Sequence, residues 1–104
     1  MIRLNRYRKL LYKGKMLDVK VSKYSCNGRL ALQATEHKTG EPFAVLTINI
    51  PAYDKNFNQA DMIFLDTNNV PDIYQVLWEH GYISEVIGRV QSGYCTYPVV
   101  RWLG

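Results

Sequence analysis

The sequence predicts an α+β fold: an antiparallel β-sheet of about six or seven strands, a meander plus a C-terminal hairpin, packed against one α-helix near residues 70–80. Three observations carry this expectation. Between residues 16 and 24, apolar Leu17, Val19 and Val21 alternate with polar Asp18, Lys20 and Ser22, the period of a half-buried strand. Turn residues recur at short intervals, first Asn27-Gly28 and then Lys38-Thr39-Gly40-Glu41-Pro42. Between residues 70 and 80 the period changes: Ile73, Val76 and Leu77 share one helical face, and Gly81 stands where a helix would stop.

The elements follow in order. Residues 4–12 mix Leu10, Leu11 and Tyr12 with basic side chains and read either as a further edge strand or as a short helix, with Gly14 turning the chain into the strand of residues 16–24. Asn27-Gly28 tolerates the positive φ of a tight hairpin and leads into a strand at 29–36. Residues 43–50 are rich in β-branched and aromatic side chains and read as a well-buried third strand of the meander. Periodicity is lost over 51–60, the longest loop, before the short apolar strand 62–65. Asp66-Thr67-Asn68-Asn69 supplies helix-capping residues, Pro71 suits a first helical turn and Asp72 suits the helix dipole. The helix should lie on the sheet. Strand composition resumes at 82–90 and 95–103 around Gln91-Ser92-Gly93, so a hairpin closes the fold, with Pro98 expected at an edge or a bulge. No repeat or linker interrupts the chain, which predicts one domain over residues 1–104.

At 104 residues and 47% apolar, the chain can bury one modest core. No apolar run approaches the roughly 18 residues of a membrane span, and Met1-Ile2-Arg3-Leu4-Asn5-Arg6 lacks the apolar stretch of a secretion signal. The expected location is therefore the cytoplasm of the cell that makes it. Cys26 and Cys95 have no partner at metal-ligand spacing and read as reduced structural thiols. The net charge of +4 is uneven. Residues 1–23 carry Arg3, Arg6, Arg8, Lys9, Lys13, Lys15, Lys20 and Lys23 against Asp18 alone, a net +7, and the remainder is −3. Such a segment favours an acidic partner, either nucleic-acid phosphate or a carboxylate-rich protein face; lysines on an edge strand also serve simply to discourage aggregation.

Chemistry has weaker support. His37 and His80 are conceivable bases and Cys95 a conceivable nucleophile, but His37 falls beside a turn, His80 in a last helical turn where an imidazolium complements the dipole, and Cys95 among aromatics. Asp54, Asp61, Asp66 and Asp72 do not match a calcium loop and are better read as caps and solvated charges. No catalytic residue, metal site or cofactor is expected. The run Ser92-Gly93-Tyr94-Cys95-Thr96-Tyr97-Pro98, with Arg101 and Trp102, offers Tyr94, Tyr97, Arg101 and Trp102 as candidate anchors for unpaired bases or a protein interface. Tyr94 and Tyr97 are three residues apart and point to opposite faces of a regular strand, so at least one of them belongs to the core.

Gly14-Lys15-Met16-Leu17-Asp18-Val19, Gly40-Glu41-Pro42-Phe43, Phe64-Leu65-Asp66-Thr67-Asn68-Asn69 and Ser92-Gly93-Tyr94-Cys95-Thr96-Tyr97-Pro98 together resemble an uncharacterised family of small bacterial proteins carried on plasmids, phages and conjugative elements. The resemblance transfers no catalytic residue. It implies a genomic setting in which small proteins block host defence, and hence an anti-CRISPR inhibitor that binds a Cas nuclease such as the single-protein type II effector. The basic charge disfavours DNA mimicry and suits an acidic protein surface or the bound guide RNA. The alternative is a nucleic-acid-binding accessory of plasmid or phage replication or transfer; an enzyme using Cys95 is a third reading. A homodimer formed through an edge strand is also open.

Overall fold

The alternation at the start of the chain becomes a meander whose strands pair in sequence order. The computed structural model describes residues 7–104. Strands β1 (Tyr7–Tyr12), β2 (Lys15–Lys23), β3 (Leu30–Glu36) and β4 (Pro42–Val45) form one antiparallel sheet in the order β1-β2-β3-β4. The open choice at residues 4–12 is thus settled as strand from Tyr7 onward. Register places Leu10 opposite Leu17, Val19 opposite Ala34 and Val21 opposite Leu32, so one face is apolar and packed. The other face carries Lys9, Asp18, Lys20 and Gln33. The β1–β2 turn has positive φ at both Lys13 and Gly14, the conformation of a type I′ hairpin. The β2–β3 connection is longer than a two-residue turn: Tyr24 N–H donates to the Arg29 carbonyl, Gly28 N–H to the Tyr24 carbonyl, and only Gly28 takes a positive φ.

The single predicted sheet is in fact two. Strands β5 (Thr47–Ile48), β6 (Met62–Leu65), β7 (Gly88–Ser92) and β8 (Cys95–Arg101) form a second four-stranded antiparallel sheet, ordered β5-β6-β8-β7. The expected strand 43–50 is broken at Leu46. Leu46 N–H donates to the Leu32 carbonyl in the first sheet, while its own carbonyl accepts Asp66 N–H beside the second. Composition showed a β-rich run but not the point at which its partner changes. At the C-terminal end, residues 82–90 are not one strand. Ile83 makes an isolated bridge to Trp102, and β7 begins only at Gly88. The hairpin turn is Gly93-Tyr94, with a positive φ at Gly93 alone, as a type II′ turn requires. Pro98 lies in the inner strand β8, just past the last β6–β8 pair, Phe64 with Val99, and not at an edge or a bulge.

The helix α1 (Ile73–Glu79) is shorter than expected. Asp66 caps the turn ahead of it, accepting Asn69 N–H and Asn69 Nδ2, whereas Asp72 at the helix N-cap makes no cap bond. Ile73 and Leu77 enter a core shared with Leu10, Leu17, Val19 and Leu32 of the first sheet and Ile63, Leu65 and Val100 of the second. Phe64, Val90, Tyr97 and Val99 point the other way and form a smaller core. The expected loop 51–60 covers that second core with Tyr53 and Phe57. Phe57 packs edge-to-face on Phe64, and it lies so near Gly88 that a Cβ there would stand 2.7 Å from its ring. Buried Arg29 pins this loop: it donates to the carbonyls of Phe57 (2.6 Å) and Met62 (3.1 Å), pairs with Asp54 and lies 4.4 Å over the Phe64 ring. Among the described residues no helix is long and apolar enough to cross a membrane.

Candidate partner-binding groove

The strand positions of the basic residues distribute them over different surfaces. Arg3 and Arg6 lie outside the described residues. Lys9 and Lys20 project from the solvent face of the first sheet, with Asp18 directly opposite Lys9 and His37 3.0 Å from the Asp18 carboxylate. Lys13 sits in the β1–β2 turn, 3.7 Å from Asp72, and Lys15 pairs with Glu36 at 3.4 Å. Arg8 and Lys23 are brought together elsewhere. They line a groove of about 410 Å³ whose other walls are Val21, Ser22, Leu30, Trp102, Leu103 and Gly104.

This groove joins the two sets of residues singled out from sequence, the basic strands and the C-terminal aromatics. Its floor is strand side chain, Val21 and Leu30, and its wall is Trp102. Trp102 is held by several contacts. Its backbone N–H donates to the Asp61 carbonyl, its ring lies 5.7 Å from Tyr82, and Gly104 passes so close that a Cβ would meet the ring at 2.9 Å. An aromatic wall, an apolar floor and cationic side chains can grip a flat or apolar group carrying negative charge, whether a nucleobase with its phosphate or an acidic protein segment.

The other candidates separate. Tyr97 is only 5% exposed and belongs to the smaller core, which removes it from the anchors: its strand position matches inward-facing Val99 and Cys95. A hydrogen bond with Cys95, and then burial, raise its hydroxyl pKa above the usual 10.0. Tyr94 is fully exposed at the hairpin tip. Arg101 is half-buried, its guanidinium held by the Asp61 carboxylate at 2.9 Å and Gln59 at 2.6 Å, so its charge is already paired. His80 is tied in at the helix end: Nδ1 lies 2.8 Å from the Val76 carbonyl and Nε2 accepts Leu11 N–H (3.3 Å). Neither histidine hydrogen-bonds Cys95. Asp54, Asp61, Asp66 and Asp72 each serve a different contact, with Arg29, Arg101, Asn69 and Tyr12 respectively. Among the described residues no three His, Cys, Asp or Glu side chains converge as metal ligands.

A family model for a domain of unknown function, DUF4313, matches residues 16–103. The chain belongs to the DUF4313 family. Searches of curated proteins and of solved structures each gave no match. Within this DUF4313 domain the matched span includes Lys23, Leu30, Trp102 and Leu103 of the groove; Arg8 and Gly104 fall outside it. Sequence reasoning missed Leu30, Leu103 and the exposed Trp78. Trp78 carried a signal, since it stands four residues after Tyr74 and off the Ile73–Leu77 face, and the two rings do stack at 6.1 Å.

Proposed function

We propose that this DUF4313 domain is a non-enzymatic binding protein whose working surface is the groove between β2, β3 and the C-terminal segment. The observation that supports it is the meeting of Lys23 and Arg8 with Trp102 over an apolar floor. The partner we assign is a host defence ribonucleoprotein, a Cas nuclease carrying its guide RNA, on which the domain acts as an inhibitor. That assignment rests on the resemblance to mobile-element proteins and on the basic charge, which favours the acidic protein or RNA faces of such a complex.

The test is a DNA-cleavage assay with a guide-loaded type II nuclease and increasing amounts of the full chain. Cleavage should fall with dose, and Lys23→Glu should need at least about tenfold more protein, the equivalent of about 1.4 kcal/mol. Undiminished cleavage at large excess would overturn the inhibitor reading. In that case binding to bare RNA or DNA that drops steeply with salt, as counterion release requires, would establish the accessory-protein reading instead.

A further inference from the structure

Along β2 the core-facing side changes character. Leu17 and Val19 are fully buried, Val21 is half-buried and Lys23 is exposed, and all four point to one face because alternate residues of a strand do. Lys23 stands directly opposite Leu30, and Arg8 opposite Val19. Arg8, Val21, Lys23 and Leu30 therefore share that face at the end where the core runs out, and Trp102 closes the groove they make. Gly104 also borders it, and a Cβ there would stand 2.9 Å from Trp102 Cζ2, so the ring itself is at the groove.

Charge sets this groove apart. The cavities beside Trp78, Asn27 and Lys13 each take an acidic side chain into their lining, Glu85, Asp54 and Glu36 respectively. Here the charged lining side chains are Arg8 and Lys23, and none is acidic. Lys13 and Lys15 pair with Asp72 and Glu36, whereas Lys23 is in no ion pair among the described residues. The occupant must bring an anion together with a flat or apolar face, within about 410 Å³. An aspartate or glutamate side chain brings the anion but leaves Trp102, Val21 and Leu30 without contact. A nucleotide brings both, a ring for the aromatic and a phosphate for the cation. In a duplex that ring would already be stacked and paired. We infer that the groove holds one unpaired nucleotide of an RNA strand, its base on Trp102 and its phosphate at Lys23. The inference rests on the groove being the working surface proposed above, and the choice of RNA on the guide-carrying partner assigned there.

Fluorescence titration of the full chain carrying Trp78→Phe tests this, because Trp102 is then the only tryptophan. Single-stranded RNA should quench it, and fully paired RNA or poly-glutamate should not. DNA of the same sequence should bind more weakly than the RNA. In the same background Lys23→Glu should raise the Kd at least about tenfold. Lys20→Glu, the same charge change on the solvent face of the first sheet, should raise it by less than about threefold. No quenching by RNA, binding of paired RNA or poly-glutamate as tight as that of single-stranded RNA, or equal losses from the two reversals would each overturn the inference. Equal affinity for DNA would overturn the assignment to RNA. If the inference falls while Lys23→Glu still relieves inhibition of cleavage, the groove stands as the working surface with a protein face in it; if Lys23→Glu changes neither assay, the groove reading falls too.

Discussion

At the scale of single residues, the pair Tyr12–Asp72 ties the first strand to the start of the helix. Buried Tyr12 donates its hydroxyl to Asp72 Oδ1 at 2.7 Å across 60 residues of sequence. The bond moves both groups. Asp72 is held below its ordinary value of 3.8, chiefly by the Tyr12 hydroxyl and less by Lys13; Tyr12 is raised above 10.0 by burial and then by the carboxylate. A depressed carboxylate adds stability above its unfolded value and loses it as the pH falls through the folded one; a raised phenol loses its contribution as the pH rises through its folded value. The stability gap between wild type and Tyr12→Phe, read from urea midpoints, should therefore be level between these limits. It should shrink from pH 3.8 downward and again above pH 10.0. Parallel profiles across the whole range would show that the bond is not formed in solution.

At the scale of elements, side chains occupy outward-facing backbone groups on two of the four sheet edges. An open edge offers unpaired N–H and C=O groups to another strand. Here β1 is closed by side chains: His80 accepts Leu11 N–H and the Tyr82 hydroxyl donates to the Lys9 carbonyl. On β7 the Tyr53 hydroxyl both donates to the Gln91 carbonyl and accepts Gln91 N–H. Strand β4 contains Pro42 and pairs with a register shift, and β5 is two residues long. Replacing His80 by Ala should speed amide exchange at Leu11 and spare Leu10, whose amide points the other way along the strand. Equal acceleration at both would mean that β1 detaches as a whole. None of these closures was legible in the sequence. The alternation of Leu17, Val19 and Val21 identified β2, and the helix, its Gly81 stop and the Gly14 turn were similarly local signals. Edge capping depends instead on residues about 40 to 70 positions apart, and periodicity carries no information about that. The groove was half legible for the same reason: Lys23 and Trp102 stood out singly, but only the pairing of distant segments puts them in one place.

At the scale of the whole molecule, the two sheets unfold together or separately depending on Leu46. Sheets joined by a single crossing could act as separate units, yet the larger core takes side chains from both sheets and from the helix. Leu46 is 1% exposed, belongs to that core and hydrogen-bonds at once toward Leu32 and toward Asp66. Removing its side chain leaves a cavity in the core that both sheets share. Leu46→Ala should then cost about 3 kcal/mol, within the usual range for a buried leucine. The loss should register equally in amide exchange from β2 and from β8, because one cooperative unit has one global opening. A loss confined to β6 and β8 would show that the second sheet opens alone. In that event Trp102 and Leu103, which are anchored to Asp61 and Tyr82 beside that sheet, would leave their place next to Lys23 whenever it opened, and the groove would exist only in the fully closed molecule.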